Sequence, residues 1–231
     1  MKKFETASFD VDATNCFTPL CPLELPVEGG DKIVPELNGN ATKARLRIMS
    51  KDAHPSNAKW QAFFTDPDRQ QMSKVYDSRD MDVFWNMHSV PGTFGFELIN
   101  GLPHPREYDF ILYKGAEPDM HPYSAVYHDH AKRVSTGVIE FLKFNNIKNV
   151  ILGGLALNFG QQPMCLGETA IDLFECGKFE HIIINLGATA SINNPNLSES
   201  ANQRENSDFI RRIEAKTRIS FIKTYKEILI S

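Results

Sequence analysis

The chain has 231 residues, 42% of them hydrophobic and 23% charged, which is the composition of a globular protein able to bury one sizeable core. Its net charge of −4, without a dense Lys/Arg run, excludes the electrostatic footprint of a nucleic-acid binder or of a protein drawn to anionic membranes. No stretch approaches the ~20 apolar residues of a membrane span, and the opening MKKFETASFDVD lacks the apolar run of a secretory signal. Four cysteines (Cys16, Cys21, Cys165 and Cys176) are too few for a disulfide framework, so reduced thiols and a cytoplasmic location are expected.

Six short apolar or β-rich runs mark strands: 7–12, 45–50, 108–114, 148–155, 181–186 and 218–223. Several are continuously apolar, which suits strands covered on both faces. Helical patterns fall between several of them, over 31–42, 130–146, 165–176 and 197–216. In the second, Val134, Val138, Phe141 and Leu142 recur at spacings of three and four. Ser135 or Thr136 is placed to start that helix and the pair Asn145-Asn146 to end it. Strand alternating with helix predicts one α/β domain over 1–231, with a doubly wound, mostly parallel, six-stranded sheet between helical layers. The stretch 51–107 has no strong period, and loops of that length commonly carry function.

In such sheets ligands bind beyond the carboxyl ends of the strands. The polar residues expected there are Asp12 after the first strand, Asp52 and His54 after the second, Lys114 after the third, and Cys165 beyond the Gly154-Leu155-Ala156 turn. Each has a bland reading alone. Cys165 reads either as an apolar filler or as a nucleophile at a helix start, where unpaired N–H groups and the dipole favour thiolate. Asp12 and Lys114 read either as an ion pair across the sheet edge or as a base and an oxyanion-stabilising cation. Asp10 competes with Asp12, because both point to one strand face. Asp52 and His54, ~7 Å apart at Cα in extended backbone, can share a metal ion with His88. Two imidazoles and a carboxylate suit zinc first, then iron or manganese. Cys176 is expected in the core, and Cys16 and Cys21 in loops.

These residues lie in segments that resemble the nicotinamidases of the isochorismatase-like (cysteine hydrolase) superfamily, over roughly residues 7 to 190. "VDATNCFTP" is similar to the family's strand ending in a catalytic Asp with an aromatic five residues on, here Asp12 and Phe17. "SKDAHP" resembles its metal-binding segment, with Asp52 and His54; "FWNMHSVPGTFG" supplies Trp85 and His88. "LYKGAEPDMHPYSA" supplies Lys114, and "GGLALNFGQQPMCLGETAIDL" supplies Ala156 and Cys165. The resemblance implies an amidohydrolase. Cys165 attacks a carboxamide carbon, Asp12 takes its proton and Lys114 supports both. The oxyanion rests on the N–H groups of Ala156 and Cys165, next to a cis Leu155–Ala156 peptide. Phe17 and Trp85 hold the pyridine ring, whose nitrogen meets one divalent metal ion, zinc or else iron or manganese. Nicotinamide would be the small-molecule partner, and the family includes homo-oligomers.

Two departures stand out. Eight residues, 157–164, separate Ala156 from Cys165 where the family usually has three. The extra residues read as an insertion before the helix, with Asn158 and Gln161 as candidate substrate contacts. The family also commonly has a further His after Asp-x-His-Pro; at the usual spacings this chain has Ala58 and Trp60. Asp66 or Asp82 are candidate replacements. His104, His121, His128, His130 and His181 read as surface or structural, with His128 and His130 flanking a helix start. The departures keep two rival readings open: a cysteine hydrolase for another small amide or carbamoyl compound, or an inactive member that binds a ligand or partner.

Overall fold

A computed structural model describes residues 1–76 and 78–230. Each of the six expected strands forms, as β1 (Thr6–Val11), β2 (Leu46–Asp52), β3 (Phe110–Lys114), β4 (Asn149–Phe159), β6 (His181–Ile192) and β7 (Ile219–Ile222). A two-residue strand, β5 (Gln162–Pro163), is added. The sheet runs β3-β2-β1-β4-β6-β7, parallel throughout, with β5 antiparallel to the end of β4. The helices α1 (Val34–Thr42), α2 (Val138–Phe144), α3 (Cys165–Glu175) and α4 (Glu199–Lys216) flank it. Every residue of β1 is buried, and all of β4 but its last. Central strands with no solvent face need no polar alternation, which is why these runs read as continuously apolar. No helix among the described residues is long and apolar enough to cross a membrane.

The chain moves from β1 outward to β2 and β3, then returns to β4 on the other side of β1. The reversal opens a crevice beyond the ends of β1 and β4, the usual place for a ligand in this architecture. Gly154 makes the crevice this tight. It has φ +125°, and a Cβ there would lie 1.8 Å from the Val11 carbonyl oxygen. Just beyond it the β4–β6 ladder changes register, between Leu155 and Phe159, and the Leu155–Ala156 peptide is cis.

The insertion is a hairpin. β4 continues through Asn158 and Phe159, turns at Gly160 (φ +55°) and Gln161, and comes back as β5. The Met164 N–H donates to the Leu157 carbonyl at 3.1 Å, so the chain re-enters beside the point it left. Cys165 then opens α3 directly after the hairpin.

The expected helix over 130–146 is shorter. Asp129 accepts the backbone N–H groups of Arg133 and Val134 at 2.9 and 3.0 Å and closes that segment as a turn. Lys132 (φ +57°) and Gly137 (φ +86°) bend the chain before α2 can start. Ser135 receives the Gly137 N–H at 3.0 Å just outside the helix, and Asn145 and Asn146 end it as expected. His128 therefore precedes a turn and His130 lies within it, not at a helix start.

Gly154→Ala is expected to destabilise the protein by about 3 kcal/mol or more, because it combines a strained φ with a backbone clash. Gly92→Ala, with φ +86° but open space around its Cβ, is the control and loses only about 1 kcal/mol. Thermal melts of the two variants check the difference.

Candidate active site and metal centre

Three strand ends meet in the crevice. Asp12 follows β1 with φ +47° and is held by Ser50 on β2, whose hydroxyl donates to Asp12 Oδ1 at 2.7 Å. The Asp12 N–H in turn reaches the Ser50 carbonyl at 3.1 Å. Asp10 is occupied elsewhere, pairing with Arg47 at 2.7 Å and accepting from the Tyr108 hydroxyl at 2.9 Å. The competition between the two aspartates thus resolves in favour of Asp12. Asp52 and Lys114 end β2 and β3 as register partners. The fully buried Lys114 ammonium lies 3.0 Å from Asp12 Oδ2, contacts Asp52 Oδ1, donates to the Pro122 carbonyl at 3.2 Å and stands 3.6 Å from Cys165 Sγ.

Burial and mutual charge set the protonation of this group. Burial opposes the charge on Lys114, but the Asp12 and Asp52 carboxylates hold its pKa well above the ordinary lysine range. Burial, helped by the nearby Asp52 charge, raises Asp12 to about 6 against the pull of Lys114. Asp52 stays well below the carboxylate range; burial alone would raise it, and Lys114 and His54 outweigh that. Burial also pushes the Cys165 thiol well above its ordinary value, and Asp52 and Asp12 reinforce it against Lys114. The resting nucleophile candidate is thus a thiol. The helix start favours thiolate as anticipated, but full burial beside two carboxylates is the larger effect.

A second cluster adjoins the first through Asp52. His54 Nδ1 donates to the Gly115 carbonyl at 2.9 Å, and His88 Nδ1 donates to the Asn86 carbonyl at 2.7 Å. These bonds leave both Nε2 lone pairs free, 3.6 and 3.9 Å from the Asp52 oxygens. Gly115 has φ +66°, and a Cβ there would sit 2.4 Å from the His54 ring, so the His54 bond requires glycine. A third imidazole, His121, completes the cluster. One ligand-type nitrogen from each of His54, His88 and His121 lies within 4.8 Å of the others. Burial first, and then neighbouring His54, lower His88 to about 3 and His121 well below the usual range, so both rings are neutral. Neutral imidazoles with oriented lone pairs beside a carboxylate are the donor set of zinc, iron or manganese, so the residues present fit such an ion. Asp12, Asp52 and Cys165 form another close group, but Lys114 contacts all three and is itself the cation there.

Asp66 and Asp82 do not join the metal cluster. Asp66 caps a turn by accepting the Asp68 N–H at 3.0 Å, and both Asp82 oxygens accept from the Tyr123 hydroxyl at 3.0 Å. His121 was expected to be structural or at the surface; it is buried, beside the candidate ligands His54 and His88. Of the residues that hold its segment, Trp60 follows Asp-x-His-Pro closely, but Asp80 and His130 are far from it in sequence. The signal was present, since His121 follows the Lys114 strand by one loop, but no local spacing rule points to it.

A cavity of about 30 Å³ lies against both clusters, lined by Phe17, Asp52, Trp85, His88, Ala156 and Cys165 among others. The two aromatics expected around a ring, the Ala156 backbone and the nucleophile candidate thus share one space. Leu25, Trp85 and Ile192 connect it to an outer chamber of about 620 Å³. Asn158 and Gln161 do not reach the cavity. Asn158 binds Asn206 at 2.9 Å and Ser191 at 2.6 Å, and Gln161 donates to the Glu205 carbonyl at 3.1 Å. Both fasten the hairpin to α4 or β6.

Lys114→Met removes the cation and leaves two buried carboxylates. Breaking a buried pair from one side costs about 3–5 kcal/mol. Urea melts of metal-free protein are expected to show a loss of that size at neutral pH. The loss should shrink in acid, where protonation of Asp12 relieves the repulsion.

No family model matches the chain. A nicotinamidase of Acinetobacter baylyi is 31% identical over 176 residues, 76% of this chain and 77% of that one. Among solved structures, the Acinetobacter baumanii nicotinamidase/pyrazinamidase superposes with TM-score 0.76 at 24% identity, covering 99% of this chain and all of that one. The Pyrococcus horikoshii pyrazinamidase in complex with zinc superposes with TM-score 0.63 at 26% identity, over 94% of this chain and 98% of that one. Identity of 31% across three quarters of both chains reflects common descent, and the chain belongs to the nicotinamidase family.

Proposed function

We propose that this chain hydrolyses nicotinamide to nicotinate and ammonia, a step of pyridine-nucleotide salvage, as one cytoplasmic domain spanning 1–231. One observation carries the reading: the Lys114 ammonium touches Asp12, Asp52 and Cys165 at once and so joins a nucleophile, a base and a metal-type cluster. The nicotinamidase named among the relatives and the zinc in the Pyrococcus pyrazinamidase support the substrate and the ion. The four free cysteines suit a reducing compartment. Trp85 and Phe17 are assigned to the pyridine ring, and Asp52, His54 and His88 to the ion. When bound, the ion supplies a Lewis-acidic anchor for the pyridine nitrogen.

The chemistry follows from the protonation states. Asp12 accepts the Cys165 thiol proton as sulfur attacks the carboxamide carbon. The oxyanion is assigned to the N–H groups of Ala156 and Cys165; Cys165 opens α3, where first-turn N–H groups have no helical partner. Lys114 keeps Asp12 ionised in its buried setting and steadies charge on sulfur. The C–N bond breaks as Asp12 returns the proton to nitrogen, releasing ammonia and leaving a thioester. Water then gives a proton to Asp12 while its oxygen attacks the thioester carbon. Collapse expels Cys165, which regains the proton, and nicotinate leaves. The cavity beside Cys165 has about the room of one water, so the ring enters only with side-chain rotation at its mouth, where Leu25 and Ile192 lie.

Ammonia release from nicotinamide by purified protein tests the reading. Cys165→Ala is expected to reduce kcat by at least ~10³-fold and Asp12→Asn by ~10²–10⁴-fold. Because the base must be ionised and Asp12 has a pKa of about 6, kcat/KM should fall about tenfold per pH unit below pH 6. Chelation should abolish turnover and zinc should restore it. A metal-loaded wild-type protein that releases no ammonia overturns the proposal.

A further inference from the structure

His121 is the least accounted-for polar group in the fold. It is 4% exposed, yet neither ring nitrogen has a hydrogen-bond partner among the described residues. A buried imidazole left in that state is destabilising, because it gives up water and gains nothing. Its backbone, in contrast, is fixed on every side. The His121 N–H donates to the Asp80 carbonyl at 2.8 Å. The His121 carbonyl accepts from His130 Nε2 at 2.7 Å. The preceding carbonyl, of Met120, accepts from the Trp60 indole N–H at 3.0 Å. The Trp60 ring then packs edge-on against both His54 and His121, each at 4.5 Å between centroids. The His121 ring thereby stacks on His54 with centroids 5.1 Å apart, and one of its nitrogens falls within 4.8 Å of one each from His54 and His88.

We propose that His121 is a protein ligand of the metal ion, making the set Asp52, His54, His88 and His121, and that Trp60 and His130 are the residues that position it. The assignment rests on the metal-assisted reading above. It also accounts for the departure noted in the sequence. Trp60 occupies one of the positions at which relatives commonly carry a further histidine. Here its indole fills that side of the site and steers in an imidazole from the loop after β3 instead. Such a loop-borne ligand leaves one carboxylate and three imidazoles around the ion, a neutral donor set apart from Asp52. The fit favours zinc or iron(II) over magnesium or calcium, which take oxygen ligands.

The test is zinc affinity, by competition with a chromophoric chelator, for wild type, His54→Ala, His121→Ala and His121→Phe. The visible spectrum of the cobalt(II)-substituted proteins is the second readout. Loss of an outer partner of a ligand already weakens metal binding by 10–100-fold. Both His121 variants are therefore expected to bind zinc at least ~10-fold more weakly than wild type, with an altered cobalt spectrum. The Phe variant keeps the ring volume and removes the two unpartnered nitrogens. Its metal-free form should melt no lower than metal-free wild type, while zinc should raise its melting temperature less than it raises that of wild type. Unchanged zinc affinity and cobalt spectrum in His121→Phe, with binding lost in His54→Ala, overturns the role of His121 and leaves the metal reading standing. Wild-type protein that binds no zinc overturns both.

Discussion

The site depends on one buried cation. Lys114 has no contact with solvent and sits between two carboxylates, with a thiol as its next neighbour. Ions are taken out of water at a large penalty, so the arrangement persists only because each charge finds its partner within the fold. That requirement explains several features at once. Asp52 and Lys114 stand in register at the ends of adjacent parallel strands, and the Pro122 carbonyl takes another of the ammonium hydrogens. Gly154 lets β4 approach β1 closely where Asp12 turns inward. One ammonium between two carboxylates leaves the group one negative charge in excess. A divalent cation on the far side of Asp52 is the natural complement to that charge.

The same balance decides how the sulfur is activated. A cysteine at a helix start is a candidate thiolate, since the dipole and the free N–H groups attract negative charge. Cys165 has that position, but its sulfur is buried and faces two carboxylates and one ammonium. The thiol therefore holds its proton at rest, and in the proposed mechanism it is Asp12 that takes it. A base with a pKa of about 6 is ionised at neutral pH and still strong enough to share a proton with a reacting thiol. On the proposed mechanism the buried base, rather than the helix, sets the reactivity of Cys165.

What could be read from sequence, and what could not, follows from the range of the interactions. Asp12, Asp52 and Lys114 are legible because a parallel strand ends where its apolar run ends, and ligands gather beyond that edge. The helix beginning at Cys165 is legible from its period. Nearness to the strand end favours Asp12 over Asp10, and the folded chain adds a physical reason, since Arg47 and Tyr108 engage Asp10. The helix over 130–146 was overdrawn because apolar spacing carries no sign of Asp129, whose side chain ties the segment into a turn. His121 was out of reach for a similar reason. Its segment is held beside His54 and His88 by bonds with Trp60, Asp80 and His130, residues from the irregular loops on both sides of β3, and only the folded chain places them together.

The insertion between Ala156 and Cys165 shows how a fold can lengthen a segment and still bring its two ends to one cavity. Extra residues ahead of a nucleophile would be expected to displace it, and about 1 Å of displacement is enough to cost a hundredfold in rate. Here the added residues pair with each other. The bond from Met164 to Leu157 closes the hairpin at its base, so Ala156 and Cys165 still line one cavity. The polar residues of the insertion, Asn158 and Gln161, are spent on α4 and β6, which anchor the hairpin from outside. Phe159 faces the outer chamber instead, while Met164, the last residue of the insertion, lines the inner cavity. The insertion therefore bears on what approaches the crevice and, through Met164, on the wall of the cavity beside Cys165.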